Sequence, residues 1–273
     1  MTDTDDDRLI LDSVERFLAR DVKPYVHHLE HDDIYPADIV EGMKELGLFG
    51  STISPDYGGL GLSAGTYAKV CESVARVWMS LAGIFNSHLI MAAAVQRFGT
   101  DAQKQTFLPR FATGELRGGL ALTEPDCGTD LQAIRTTARR PIDQKGGNQD
   151  YVVNGTKTWI SNGIHGTIFA LLVKTNPQAE PRTRGMSLFL AEKGPGFTVG
   201  KKLEKLGYKG LDSAELMFND YRIPADRLIG GEEGRGLNQA LGGLELGRIN
   251  VAARGVGVAQ AALDEAVSYS QVR

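Results

Sequence analysis

Leu120-Ala121-Leu122-Thr123-Glu124-Pro125-Asp126-Cys127-Gly128-Thr129-Asp130 is where the sequence changes texture. Its first residues read as a short strand ending in a hydroxyl side chain. Pro125 then fixes a turn, and Gly128 lets backbone amides approach an anion or a ring. Taken alone the stretch is an ordinary turn. Upstream, from residue 8 to about 115, apolar residues recur at helical spacing, as in Leu9, Ile10, Val14, Phe17, Leu18 and in Ile39, Met43, Leu46. Breaks fall at Pro24, at Tyr35-Pro36, at the Gly-rich Ser54 to Gly61 and at Phe98 to Asp101, where Thr100 and Asp101 can cap the next helix, so about six helices are expected.

Downstream the runs shorten and fill with β-branched and aromatic residues: Tyr151-Val152-Val153, Thr158-Trp159-Ile160, Ile168 to Val173, Ser187 to Leu190 and Glu215 to Phe218. Asn154-Gly155 between two such runs predicts a type I′ hairpin, and Asp143 to Asp150 predicts a polar loop. After Pro224 and the Gly-rich residues 230–236 the pattern turns helical to the last residue. Leu237, Leu241, Leu244, Ala252, Val256, Ala259 and Leu263 fall on one side of a single helix of roughly 38 residues, dense in Ala and Gly, with no stop signal. A helix this long needs partners, and the chain is expected to stop before its last domain is complete. The reading is therefore α+β multidomain. An N-terminal α-helical bundle (1–116) precedes a middle antiparallel β domain (117–228) and the start of a C-terminal helical bundle (229–273).

Composition agrees with a folded chain of this size. The 273 residues are 42% apolar and 23% charged, with a net charge of −4, which gives no support to nucleic-acid binding. The longest apolar stretch, Ile84 to Val95, is interrupted by Asn86, Ser87 and His88, so no membrane span is expected. The acidic start MTDTDDDR is unlike a signal peptide, and the expected location is the cytoplasm. Cys71 and Cys127 lack the spacing of a metal or redox pair and are read as reduced thiols.

Several motifs are absent. Neither Gly59-x-Gly61 nor Gly255-x-Gly257 completes a dinucleotide fingerprint, and no P-loop, H-E-x-x-H or G-x-S-x-G occurs. His27 and His31, with Glu30 beside them, have metal-ligand spacing but no third ligand, and a solvated helix face explains them as well. His88 and His165 read as structural. Asn154-Gly155-Thr156 reads as a turn rather than a glycosylation site. In Tyr151 to Gly163, Trp159 and Ser161 share one face of a strand, an arrangement that can wall an aromatic ring and hydrogen-bond its edge. A tryptophan packed in the core is the simpler alternative.

Taken together, residues 120–130 and 151–163, then Leu206-Gly207-Tyr208-Lys209-Gly210-Leu211-Asp212-Ser213-Ala214-Glu215-Leu216, Ile223-Pro224 and Leu244-Glu245-Leu246-Gly247-Arg248, strongly resemble the acyl-CoA dehydrogenase family. The resemblance also takes in Tyr57-Gly58-Gly59-Leu60-Gly61 and Ala262 through Arg273, so it runs over essentially the whole chain. It implies FAD as cofactor. Leu120, Ala121, Leu122 and Thr123 would meet the polar edge of the flavin, Gly128 and Thr129 its pyrophosphate. Trp159 and Ile160 would cover one flavin face and Ser161 approach N5. Arg273 would reach the FAD diphosphate of a neighbouring subunit, implying a homo-oligomer, a dimer or tetramer. Thr129, Glu245, Leu246, Gly247 and Arg248 would line the site of an acyl-CoA substrate, and an electron-transferring flavoprotein would be the electron acceptor.

The implied reaction is α,β-dehydrogenation of the thioester, a carboxylate removing the α-proton while the β-hydrogen leaves as hydride. Some subfamilies carry that base immediately before the arginine, where this sequence has Gly247. Glu245 would project about 200° around the helix from that position. No catalytic residue is therefore assigned, the base being expected beyond Arg273 and the 273-residue chain inactive by itself. The alternatives are a non-catalytic short paralogue that binds acyl-CoA or a full-length partner, and an acyl-CoA oxidase or flavin monooxygenase of the same fold.

Overall fold

The computed structural model describes residues 5–141 and 150–273; of the expected polar loop, residues 143–149 lie outside the described residues. Among the described residues five α-helices precede the first strand: α1 (Asp5–Phe17), α2 (Val26–His31), α3 (Ala37–Glu45), α4 (Ala64–Phe98) and α5 (Asp101–Ala112). The helical periodicity overcounts by one because α4 runs through 35 residues, bending at Trp78 (φ −156°, ψ 104°) rather than ending there. Ser63 caps α4 by accepting from Thr66 N, and Thr100 and Gln103 form a reciprocal capping box at the start of α5. An 18-residue window of α4 has a mean hydropathy of 1.4, enough by composition for a membrane span, although no uninterrupted apolar run announces it. Of that window 78% is buried inside the protein, so its apolar side chains are the core of the helical region.

Among the described residues seven strands follow: β1 (Gly118–Ala121), β2 (Thr137–Arg139), β3 (Tyr151–Ser161), β4 (Ile168–Lys174), β5 (Met186–Glu192), β6 (Phe197–Lys202) and β7 (Ser213–Ile223). They form one sheet in the order β1-β4-β2-β3-β7-β6, with β5 also on β4. The expected antiparallel sheet is mixed, because β1 and β2 both run parallel to β4. Long excursions rather than hairpins join these strands, which is what parallel pairing requires. β4 is buried on both faces. Ile168, Ala170 and Leu172 join the helical core, whereas Phe169, Leu171 and Val173 join a second core rich in aromatics with Tyr151, Phe189, Phe197 and Phe218.

The Asn154-Gly155 hairpin is overturned: both residues lie inside β3. Tertiary pairing with β7 wins over the local turn signal. Asn154 Nδ2 donates to Asp220 Oδ1 (3.1 Å), Asp220 N donates to Asn154 Oδ1 (2.9 Å), and the register shifts between Val153 and Gly155. Gly155 supplies the φ of 147° at this bulge, where a Cβ would collide with Thr136.

The final helix, α6 (Gly236–Val272), has 37 residues, but it buries a face other than the expected one. The buried residues are Gly236, Gln239, Ala240, Gly243, Gly247, Asn250, Ala253 and Gly257. Leu241, Val256 and Leu263 of the anticipated stripe are 43%, 54% and 56% exposed. α6 lies antiparallel on α4, with Gly243 against the Ile90 carbonyl, Gly247 against the Ile90 side chain and Gly257 against Glu72 and Arg76. Small residues win this face because they let the two axes approach, and the larger aliphatics are turned outward.

Candidate functional site: the junction of β1 and β3

The two motif segments meet through three hydrogen bonds. Thr158 N donates to Thr123 O (2.9 Å), and the Lys157 ammonium donates to Leu122 O (2.9 Å) and to Glu124 Oε1 (2.8 Å). Glu124 also accepts from the backbone of Arg135 (2.6 Å) and Thr136 (3.0 Å), which fixes the chain leaving the turn. The turn is closed by paired backbone bonds between Glu124 and Cys127, so the turn expected at Pro125-Asp126 forms. Lys157 is fully buried and Glu124 is 6% exposed, which makes this a buried ion pair with its remaining lone pairs satisfied. Burial pushes the Glu124 carboxyl up, but the Lys157 charge and the donors around it outweigh that and hold it below the usual range. For Lys157 burial is the largest effect and lowers its pKa, against the pull of Glu124.

Past Lys157 the strand is bulged. Lys157 and Thr158 are both buried in succession, the register shifts before Ile160, and Trp159 takes a left-handed φ of 57°. For a bulky side chain that conformation is strained, and it is held only by the bonds on either side. Its result is that the Trp159 indole is 55% exposed, not core. Ile160 is buried and Ser161 half-buried, so Trp159 and Ser161 keep the open side of β3 between them. Asn162 is again left-handed (φ 59°) and fully buried. Its Nδ2 donates to Gly118 O (2.8 Å) and to Ile84 O of α4 (3.0 Å), which ties the end of β3 to the helical core.

The residues singled out by sequence divide into four groups. Leu120 to Thr123 and Trp159 to Ser161 are brought together, with Ala121 buried and Leu122 and Thr123 half-buried; β1 itself ends at Ala121. Gly128 and Thr129 are exposed on the turn, and a side chain at Gly128 would meet only Thr123 Cγ2 at 3.5 Å, leaving open space for a group from solvent. Glu245, Leu246, Gly247 and Arg248 lie on α6 beside Ile90. Glu245 is exposed and paired with Arg97 of α4 (2.7 Å), while Gly247 faces inward. Arg273 ends the helix, over the Tyr269 ring at 6.0 Å and about 38 Å along the axis from Arg248 at 1.5 Å per residue. It is not brought to the β1–β3 junction.

An exposed aromatic face beside the open turn at Gly128 and Thr129 suits a planar, anionic cofactor such as a flavin dinucleotide. Among the described residues no group of three His, Cys, Asp or Glu is placed to hold a metal. His88 is buried and bonded to Phe111 O (3.0 Å), and burial lowers its pKa to about 4. His165 is not isolated. It stacks on Tyr35 at 3.5 Å and bonds to the buried Asp212 (2.9 Å). Glu124, Lys157, Asn162 and Asp212 stand inside the quoted motifs, yet sequence reasoning gave them no role. Only for Lys157 was a signal available, a charged residue at an inward position of a strand.

Sequence comparison matches residues 4–115, 119–221 and 234–273 to the N-terminal, middle and C-terminal domains of acyl-CoA dehydrogenase. The chain is 37% identical over 97% of its length to a (2S)-methylsuccinyl-CoA dehydrogenase of Cereibacter sphaeroides, of which it spans 49%. It superposes along its whole length on 70% of the butyryl-CoA dehydrogenase of Megasphaera elsdenii, with a TM-score of 0.93 and 33% identity. A glutaryl-CoA dehydrogenase of Mycobacterium smegmatis in complex with FADH2 is matched with a TM-score of 0.86 at 28% identity, over 99% of this chain and 66% of that one. The chain belongs to the acyl-CoA dehydrogenase family.

Proposed function

We propose that this chain takes part in FAD-dependent α,β-dehydrogenation of an acyl-CoA thioester. The observation that carries the reading is the exposed, strained Trp159 beside the main chain of Leu122 and Thr123. FAD, the cofactor of this family, supplies a hydride acceptor when bound. The chain's residues divide the remaining work. Trp159 covers one face of the ring, Ile160 backs it from the core, and Ser161 offers a hydroxyl to its edge. Leu120 to Thr123 present backbone groups to the polar rim, and Gly128 and Thr129 leave room and donors for the pyrophosphate. The Lys157–Glu124 pair acts through these groups. It locks β1 to β3 and so sets where Thr123 and Trp159 stand.

Thr129 on the turn and Leu246, Gly247 and Arg248 on α6 are proposed to border the acyl-CoA. Glu245 is not assigned as the proton-abstracting base, since its carboxylate points outward to Arg97, and no other residue of this sequence is given that role. Arg273 is proposed to act toward a neighbouring subunit, consistent with its distance from the junction, and an electron-transferring flavoprotein is the proposed acceptor.

Titrating the purified chain with FAD while following Trp159 fluorescence tests the reading. The only other tryptophan, Trp78, is buried, so quenching that disappears in Trp159→Phe supports it. Absence of FAD binding, or quenching unchanged in that variant, overturns it. Turnover of an acyl-CoA by residues 1–273 alone would overturn the separate proposal that this sequence lacks the base.

A further inference from the structure

Arg254 projects from α6 toward α4 and the loop before β7. Nine other arginines pair with carboxylates, yet among the described residues no carboxylate lies within ion-pair distance of Arg254. Its Nη1 donates to the Tyr208 hydroxyl, over whose ring the guanidinium sits at 5.5 Å, and its Nε is buried without a partner. A second cation shares the ring, the Lys205 ammonium lying over Tyr208 at 5.1 Å and donating to the Tyr208 carbonyl (2.7 Å), and the carboxylate of this loop, Glu30, is taken up by the backbone of Lys209 and Gly210. Asn250, fully buried one turn earlier, donates to Tyr67 Oη (3.0 Å) and Cys71 Sγ (2.9 Å), and its Oδ1 has no partner either. Arg254 is half-buried without an anion, and its Nε and Asn250 Oδ1, one helical turn apart on α6, are two buried polar atoms that a ligand group could satisfy.

The cluster is continuous with the candidate site. The Tyr208 hydroxyl occupies the space left by the missing side chain of Gly83. The next residue of α4, Ile84, gives its carbonyl to Asn162, which directly follows Ser161. Arg254 therefore stands one tyrosine beyond the end of β3. Tyr208 is itself held in a left-handed conformation (φ 64°) in a loop clamped by Glu30, which accepts from Lys209 N (2.9 Å) and Gly210 N (3.2 Å).

We propose that Arg254, with the Tyr208 hydroxyl and Asn250, forms the end wall of the acyl site and selects CoA thioesters whose acyl chain ends in a second carboxylate. This rests on the acyl-CoA reading above. A guanidinium fork matches a carboxylate in shape and charge, and a water shared between that carboxylate and Asn250 would supply the donor that Oδ1 lacks.

The test is calorimetric titration of the FAD-loaded protein with succinyl-CoA and butyryl-CoA, which share a four-carbon acyl chain and differ in the terminal group. A charge-assisted hydrogen bond predicts that wild type binds succinyl-CoA roughly 10-fold or more tighter. Arg254→Met is expected to abolish the preference, the ratio of the two affinities falling to about 1, as loss of the charge requires. Equal affinities in wild type, or a preference that survives in Arg254→Met with only the thermal midpoint lowered, overturns the proposal and leaves the acyl-CoA reading standing. Failure of both thioesters to bind overturns the two together. Should Arg254→Met not fold, Tyr208→Phe keeps the ring and removes the hydroxyl. A preference reduced about 3-fold is then expected from one lost hydrogen bond, and an unchanged one overturns the proposal.

Discussion

The α4–α6 interface and the β1–β3 junction are built on opposite principles. Between the helices, shape does the work: Gly243, Gly247 and Gly257 bring backbone against backbone and side chain, while the ion pairs Arg76–Asp264 (2.5 Å) and Arg97–Glu245 (2.7 Å) sit at the exposed rim and Asn250 and Arg254 lie further in. At the junction, directed bonds do it. A buried ion pair and backbone acceptors hold two successive departures from strand geometry, and a large aromatic ring is left in solvent. The contrast teaches where each region can be altered. The helical interface does not tolerate added volume, and the junction does not tolerate lost charge.

The largest expected effect is at the junction. Lys157→Met leaves Glu124 buried and unpaired, and should destabilise the protein by about 3–5 kcal/mol in denaturant unfolding. Adding Glu124→Gln removes the uncompensated charge and should recover part of the loss; if it recovers none, the pair is not what couples β1 to β3. Gly243→Val tests the helical side. A Cβ there would lie 2.6 Å from the Ile90 carbonyl, and the added bulk should cost about 3 kcal/mol, read as a lower denaturant midpoint. An unaffected midpoint would mean the helices are not close-packed.

Smaller effects sharpen the comparison. Trp159→Gly relieves a left-handed conformation that glycine adopts freely, so stability should hold or rise by up to about 1 kcal/mol. FAD affinity should fall roughly 10-fold from the lost ring contact. A variant that loses stability and keeps FAD would make Trp159 a packing residue. The Glu124 carboxyl, held below its ordinary value of 4.5, contributes stability that is present above that pH and lost as pH falls through the lowered folded value. Glu124→Gln should flatten that acid limb. Last, Gly255→Ala, where a Cβ meets nothing within 4 Å, should stabilise α6 by about 0.5–1 kcal/mol, the opposite sign from Gly243→Val on the same helix.

The junction was legible as a motif and illegible as a mechanism. Residues 120–130 and 151–163 could be paired by their family resemblance, and the shared side of Trp159 and Ser161 follows from strand alternation. The left-handed turn at Trp159 could not be anticipated, because it depends on Lys157 finding Glu124 and Leu122 across the sheet. Asn154-Gly155 failed for the same reason. Its local preference is for a hairpin, and Asp220, 66 residues later, decides otherwise.

Sequence by itself determined the order of the regions, the length of the final helix to within a residue, the capping at Thr100, and the family. These follow from periodicity, local capping chemistry and motifs that need no partner to be read. Only the tertiary structure decided which face of α6 is buried, that β4 runs parallel to β1 and β2, and that a lysine is the buried bolt of the site. Each of those depends on what approaches from elsewhere in the chain. A glycine stripe outranks a leucine stripe when another backbone is near enough to use it, and a charge goes inside when its counter-charge is already there.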